Sequence, residues 1–142
     1  MPEILLVEDN PDHAELTRRS LENGNMINKV VWVKDGQEAL DYLFQKGAYV
    51  NAARPGLILL DINLPKVSGV EVLKRVKEDE ALRVIPLIML TTSDRDEEAV
   101  KCYRLGANSF ITKPVRFKEF SEKIQSLKLY WLLVNRPTTP NV

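Results

Sequence analysis

The sequence predicts an α/β protein, a doubly wound parallel sheet of five strands in (βα)5 alternation, and three observations lead there. Short apolar runs alternate with amphipathic stretches five times along the chain. The run Leu57-Ile58-Leu59-Leu60 is apolar at every position, as a central strand covered on both faces should be. Runs one, three, four and five give way to acidic, hydroxyl or ammonium side chains at their C-terminal ends, the edge at which open parallel sheets bind ligands.

The first strand is Ile4-Leu5-Leu6-Val7, ended by Glu8-Asp9. Asn10 followed by Pro11 reads as an N-cap and first helical position, Asp12 and Glu15 suit the positive end of the helix, and Gly24 stops it. Lys29 to Val33 is the second strand. Asp35-Gly36 then opens a helix with Ala39, Leu40, Leu43 and Phe44 on one face, closed by Gly47, and a loop runs from Ala48 to Gly56. The third strand ends on Asp61. After a turn from Pro65 to Gly69, a third helix carries Val70, Leu73 and Val76, and Pro86 precedes the fourth strand, Leu87-Ile88-Met89-Leu90, which ends at Thr91. The fourth helix presents Ala99, Cys102 and Tyr103 and stops at Gly106, where a left-handed residue is wanted. Ser109 to Thr112 is the fifth strand, followed by Lys113-Pro114. The last helix begins near Arg116, places Phe117, Phe120, Ile124 and Leu127 on one stripe, and is expected to extend into the C-terminal region.

A chain of 142 residues accommodates one domain, assigned to residues 1–127, with residues 128–142 as a C-terminal extension. Twenty basic side chains balance twenty acidic ones, which leaves no long-range field to draw in nucleic acid or an anionic membrane. Cys102 has no second cysteine to pair with. No stretch approaches the ~20 apolar residues of a membrane span, and Met1-Pro2-Glu3 leads into a strand without the basic region of a secretory signal, so a cytoplasmic location is expected.

With strand order 2-1-3-4-5, right-handed crossovers put the third strand between the first and fourth, so Asp61 sits centrally. Glu8, Asp9, Asp61, Thr91 and Lys113 then meet at one edge. Gathered carboxylates repel unless a cation joins them. Mg²⁺ suits an all-oxygen set of this kind, with Mn²⁺ able to stand in, while the lack of a His/Cys cluster argues against zinc. A central carboxylate beside a metal can act as nucleophile on phosphorus, and the Lys113 ammonium and Thr91 hydroxyl would help neutralise the equatorial oxygens.

Taken together, Glu8-Asp9-Asn10, the run Asp61-Ile62-Asn63-Leu64-Pro65 leading to Gly69, Thr91, and Phe110-Ile111-Thr112-Lys113-Pro114 resemble the CheY-like receiver domains of two-component response regulators, over roughly Pro2 to Ser126. The resemblance implies a flavodoxin-like fold and a single-domain switch. It implies Asp61 as phosphoacceptor, Asp9 as direct metal ligand, Glu8 acting mainly through water, and the Asn63 backbone carbonyl as a further ligand. Thr91 and Lys113 would contact the phosphoryl group, Lys113-Pro114 would be cis, and Thr91 and Phe110 would form the switch pair, although Phe110 lacks the hydroxyl often found there. The segment Tyr42 to Tyr49 with Arg54-Pro55, the Leu59 to Pro65 core and the tail beyond Leu127 resemble the small receivers that partner cyanobacterial phytochromes. The implied phosphodonor is a histidine kinase of phytochrome type.

Other readings compete. A metal-dependent aspartyl-phosphate hydrolase would show Asp-x-Asp, whereas position 63 is Asn, and a flavodoxin-like flavin carrier would need a Gly/Ser/Thr-rich loop where Glu8-Asp9-Asn10-Pro11-Asp12 stands. The expectation is therefore a signalling module, not a turnover enzyme. His13 reads as a surface histidine and Trp32 as a partly covered strand residue. The run Leu129 to Val134 is apolar all round and either folds back onto its own domain or is covered by another copy; the expectation is a symmetric homodimer through the last helix, with Phe117, Phe120, Tyr130 and Trp131 at its interface.

Overall fold

The computed structural model describes residues 2–24, 26–92 and 97–129. Among the described residues five strands, Ile4–Val7 (β1), Val30–Val33 (β2), Leu57–Asp61 (β3), Leu87–Thr91 (β4) and Ser109–Thr112 (β5), form one parallel sheet in the order β2-β1-β3-β4-β5. Of the described residues, five α-helices connect and follow these strands: Pro11–Asn23 (α1), Gly36–Leu43 (α2), Gly69–Glu78 (α3), Glu97–Arg104 (α4) and Phe117–Ser126 (α5). The order changes direction beside β1, so β1 and β3, which pair from Ile4 with Leu57 to Val7 with Leu60, bring Glu8 and Asp61 to the same edge.

Strand residues alternate between two cores, as the period of two requires. Leu5, Val7, Ile58, Leu60, Leu87 and Met89 pack with Ala39, Leu40 and Leu43 of α2, Val72, Leu73 and Val76 of α3, and Cys102 of α4. Ile4, Leu6, Leu57, Leu59, Ile88, Leu90 and Ile111 pack with Ala14 and Leu21 of α1 and with Phe120 and Ile124 of α5. Burial on both faces explains why these strands read as continuous apolar runs.

Helix starts follow their caps. The Asn10 side chain accepts from the Asp12 and His13 amides, Asp35 from Glu38 and Ser68 from Glu71. Gly69 opens α3 where a Cβ would collide with the backbone carbonyl of Asp61, so only glycine lets this helix begin against the end of β3.

Helix ends differ from expectation. At Gly106, with φ 107, the predicted left-handed closure is present, the Ala107 amide donating to Cys102 O at 3.0 Å. The second helix is not closed by Gly47. It stops at Leu43, and Gln45 takes the left-handed position (φ 57) while the Lys46 amide donates to Asp41 O at 2.8 Å; Gly47 opens a short 3-10 turn, Gly47–Tyr49, that leads into the predicted loop. Among the described residues the last helix ends at Ser126, and the expected extension beyond Leu129 lies outside them. Lys128 adopts φ 58, its amide donates to Gln125 O at 3.0 Å and that of Leu129 to Ile124 O at 2.8 Å, which closes α5 at Ser126.

Among the expected interface residues, Phe120 is fully buried in the second core and has no surface to offer another chain. This corrects the expectation, because Phe120 and Ile124 turn inward on the stripe. Phe117 is half-buried, its ring lying where a Cβ on residue 24 would be, and Tyr130 and Trp131 lie outside the described residues. On α4, Cys102 is buried, the Ala99 side chain lies outside the described residues, and Tyr103 is 45% exposed with its ring edge-on to Phe110. No helix among the described residues is long and apolar enough to cross a membrane.

Candidate phosphoryl and metal site

The site is assembled from strand tips. Glu8 follows β1 and is fully buried, Asp9 beside it is exposed, and Asp61 ends β3 in a buried position. One carboxylate oxygen from each of these acids can be chosen so that all lie within 4.8 Å of one another. Thr91 ends β4 one residue beyond Leu90, the partner of Asp61 in the sheet, and Lys113 follows β5 with its amide donating to Thr91 O at 2.6 Å. The peptide between Lys113 and Pro114 is cis.

Lys113 closes the constellation. Its Nζ donates to Glu8 Oε1 at 2.6 Å and to Asp61 Oδ2 at 2.8 Å. The other oxygen of each acid is held by backbone, Glu8 Oε2 accepting from the Asn10 amide at 3.3 Å and Asp61 Oδ1 from the Asn63 amide at 3.2 Å. Each acid is thus oriented at both ends.

The electrostatics bear the mark of crowding. Burial first, then the hydrogen bond to Asp61, pushes the Glu8 carboxyl up to about 7 against the lowering effect of Lys113. Burial works to lower the Lys113 ammonium, yet its bonds to Asp61 and Glu8 outweigh this and hold it above its ordinary value. One ammonium does not fully offset the acids, so a further cation fits here. The ligand set is all oxygen, the preference of Mg²⁺ and Mn²⁺. Among the described residues the Thr91 hydroxyl is the buried side-chain polar atom left with no hydrogen-bond partner, a donor held ready for a group that arrives.

A model of the response regulator receiver domain matches residues 4–125. The chain belongs to the response regulator receiver family. Within it, the chain is 48% identical to the bacteriophytochrome response regulator AtBRR, with a TM-score of 0.87 over 96% of this chain and 99% of that one. It is 41% identical over 96% of its length to a probable methanogenesis regulatory protein, FilR2, of Methanothrix harundinacea, covering 88% of that protein. It is 37% identical to the response regulator Rcp1 of Synechocystis, covering 91% of this chain and 88% of that protein, and a Mn²⁺-bound structure of Rcp1 superposes with a TM-score of 0.77 over 97% of this chain and all of that one. This receiver therefore has relatives among phytochrome response regulators, and one of its relatives, Rcp1, has been solved in a Mn²⁺-bound form.

The fold brings Glu8, Asp9, Asp61 and Lys113 together at the sheet edge, with Thr91 ending the strand between. Asn63 and Asp9 line a common cavity of about 630 Å³ beside α3 and α4. Phe110 stands apart: it pairs with Met89, two residues before Thr91, and its half-buried ring lies between Tyr103, with ring centroids 5.4 Å apart, and the Lys123 ammonium at 5.3 Å. Two contacts to the site escape sequence reasoning. The Trp32 indole donates to Glu8 O at 2.7 Å, and His13, 48% exposed as a surface histidine should be, has Nδ1 3.3 Å from Lys113 Nζ. The register Leu6 with Trp32 puts the indole near the end of β1, but only the sheet pairing reveals it.

Proposed function

We propose that Asp61 accepts a phosphoryl group from the phosphohistidine of a histidine kinase in a Mg²⁺-dependent reaction, and that the kinase is of phytochrome type. The observation that carries this reading is the Lys113 ammonium bridging Asp61 Oδ2 and Glu8 Oε1 while the buried Thr91 hydroxyl is unpartnered. A carboxylate oxygen of Asp61 forms the new P–O bond as the P–N bond to the donor imidazole breaks, and the imidazole leaves with the electron pair and takes a proton from solvent. Lys113 transfers a hydrogen bond from the Asp61 carboxylate to a phosphoryl oxygen, and Thr91 donates to another. Glu8, Asp9, Asp61 and the Asn63 carbonyl would hold the metal, which supplies positive charge to the phosphoryl oxygens when bound.

Asn63 offers no acid or base to activate water, which favours a phosphorylated switch over a hydrolase with turnover. The acidic turn from Glu8 to Asp12 likewise favours a metal over a flavin phosphate. The kinase assignment is supported by the phytochrome response regulators among the relatives. Homodimerisation through the C-terminal region is part of the same proposal, with Phe117, Tyr130 and Trp131 as its anchors; Trp131→Glu sedimenting as a monomer beside a dimeric parent would support it, and equal sedimentation would refute it.

The test of the chemistry is intact mass after incubation with acetyl phosphate and Mg²⁺. The parent gains one phosphoryl mass and Asp61→Asn, with its fold intact, gains none. A folded parent that stays unmodified would refute the scheme. Transfer from a phosphorylated phytochrome kinase, compared with an unrelated histidine kinase, tests the donor.

A further inference from the structure

An ammonium has three N–H donors, and in this structure three polar side-chain atoms stand within reach of Lys113 Nζ. Glu8 Oε1 and Asp61 Oδ2 are carboxylates at 2.6 and 2.8 Å; His13 Nδ1 is the third atom, 3.3 Å from Nζ and 3.7 Å from Glu8 Oε1. For Nδ1 to accept from an ammonium, the imidazole proton must sit on Nε2. Asn10 fixes the first turn of α1 by accepting from the Asp12 amide at 2.9 Å and the His13 amide at 3.2 Å, so the ring is carried on a capped helix end.

The other feature at this point is space. His13 and Lys113 both line a cavity of about 250 Å³, together with Leu16, Thr17, Thr92 and Pro114. A flexible amine beside such a cavity has room to turn away from the acids. We propose that His13 is a positioning residue for phosphoryl uptake: its Nδ1 restrains the Lys113 ammonium above the Asp61 and Glu8 carboxylates and keeps it aimed at the incoming phosphoryl group. When that group arrives, Lys113 redirects the bond now made to Asp61 Oδ2 and keeps those to Glu8 and His13. The inference rests on the phosphoryl-accepting reading of Asp61.

His13→Leu removes the acceptor at similar bulk, and His13→Asn returns a carbonyl oxygen close to the Nδ1 position. Two measurements on the full chain test the idea: the initial rate of phosphoryl gain from acetyl phosphate at saturating Mg²⁺, and the acylation of Lys113 by an amine reagent, located by peptide mass. His13→Leu should slow phosphoryl gain by about three- to tenfold, the worth of one positioned hydrogen bond, and raise Lys113 acylation, while His13→Asn restores both. Equal rates in all three proteins, or slowing that Asn does not rescue, would overturn the proposal, as would equal acylation throughout. No phosphoryl gain in the parent itself, with the acylation pattern as expected, would refute the role of Asp61 and leave the His13 to Lys113 contact standing.

Discussion

Thr91 is 2% exposed and its buried hydroxyl is unpartnered, an arrangement that costs stability in the resting protein because a buried donor left without an acceptor forfeits its hydration. The proposed role in binding the phosphoryl group would account for a hydroxyl at this position. Valine has the same shape without it, so the two effects can be separated at this position. Thr91→Val should raise the stability of the unphosphorylated protein by about 1 kcal/mol, read from urea unfolding, while slowing phosphoryl uptake by about a hundredfold, the cost of losing one donor to developing charge. Loss of stability together with normal uptake would show that the hydroxyl is structural. Trp32 and His13 show why side-chain chemistry is harder to foresee than strand tips. Glu8, Asp61, Thr91 and Lys113 are legible because each ends an apolar run, whereas Trp32 and His13 reach the site sideways, through sheet pairing and through the direction in which a capped helix sends its third residue.

At the level of elements, strands and helix starts are legible in the sequence because apolar runs and caps are local signals. Helix ends are less so. Three helices close with the same left-handed turn, at Gln45, Gly106 and Lys128, and only one of these residues is a glycine. The other two bear the strain of φ near 60° because the carbonyls of the last turn gain backbone donors and Leu129 returns to pack on the core beside Ile124. Lys128 is exposed and has an ordinary solvent-facing side chain, so Lys128→Gly should stabilise the chain by roughly 0.5–1 kcal/mol in spite of the usual entropic cost of glycine; a loss of stability in denaturant titration would count against this closure. Phe120 teaches the complementary lesson. A stripe of apolar residues on the last helix cannot distinguish the face turned to the sheet from a face turned to another chain, and Phe120 proves to be core. Phe120→Ala should therefore cost about 3–5 kcal/mol at any protein concentration, and a cost that vanished on dilution would restore it to an interface.

The acid cluster exists only in the folded molecule, since Glu8 comes from the end of β1, Asp61 from β3 and the restraining Lys113 from beyond β5. An unfolded chain scatters these groups, so a divalent cation that binds them binds the native state almost alone. Linkage then fixes the sign: such a cation must raise the melting temperature, by RT ln(1 + [L]/Kd), about 2.7 kcal/mol at a hundredfold excess over Kd and on the order of 10 °C for a chain of this length. Asp61→Asn removes one ligand, and its amide cannot replace the lost charge, so the same Mg²⁺ titration should shift that variant by much less. Salt screening could mimic the effect by easing repulsion among the carboxylates, but NaCl at equal ionic strength separates the two, because screening needs no inner coordination. Equal shifts with NaCl and Mg²⁺, or a shift that survives Asp61→Asn undiminished, would mean that the carboxylates at the sheet edge are neutralised by Lys113 and solvent ions alone, and that the metal-binding role assigned to Glu8, Asp9 and Asp61 is wrong.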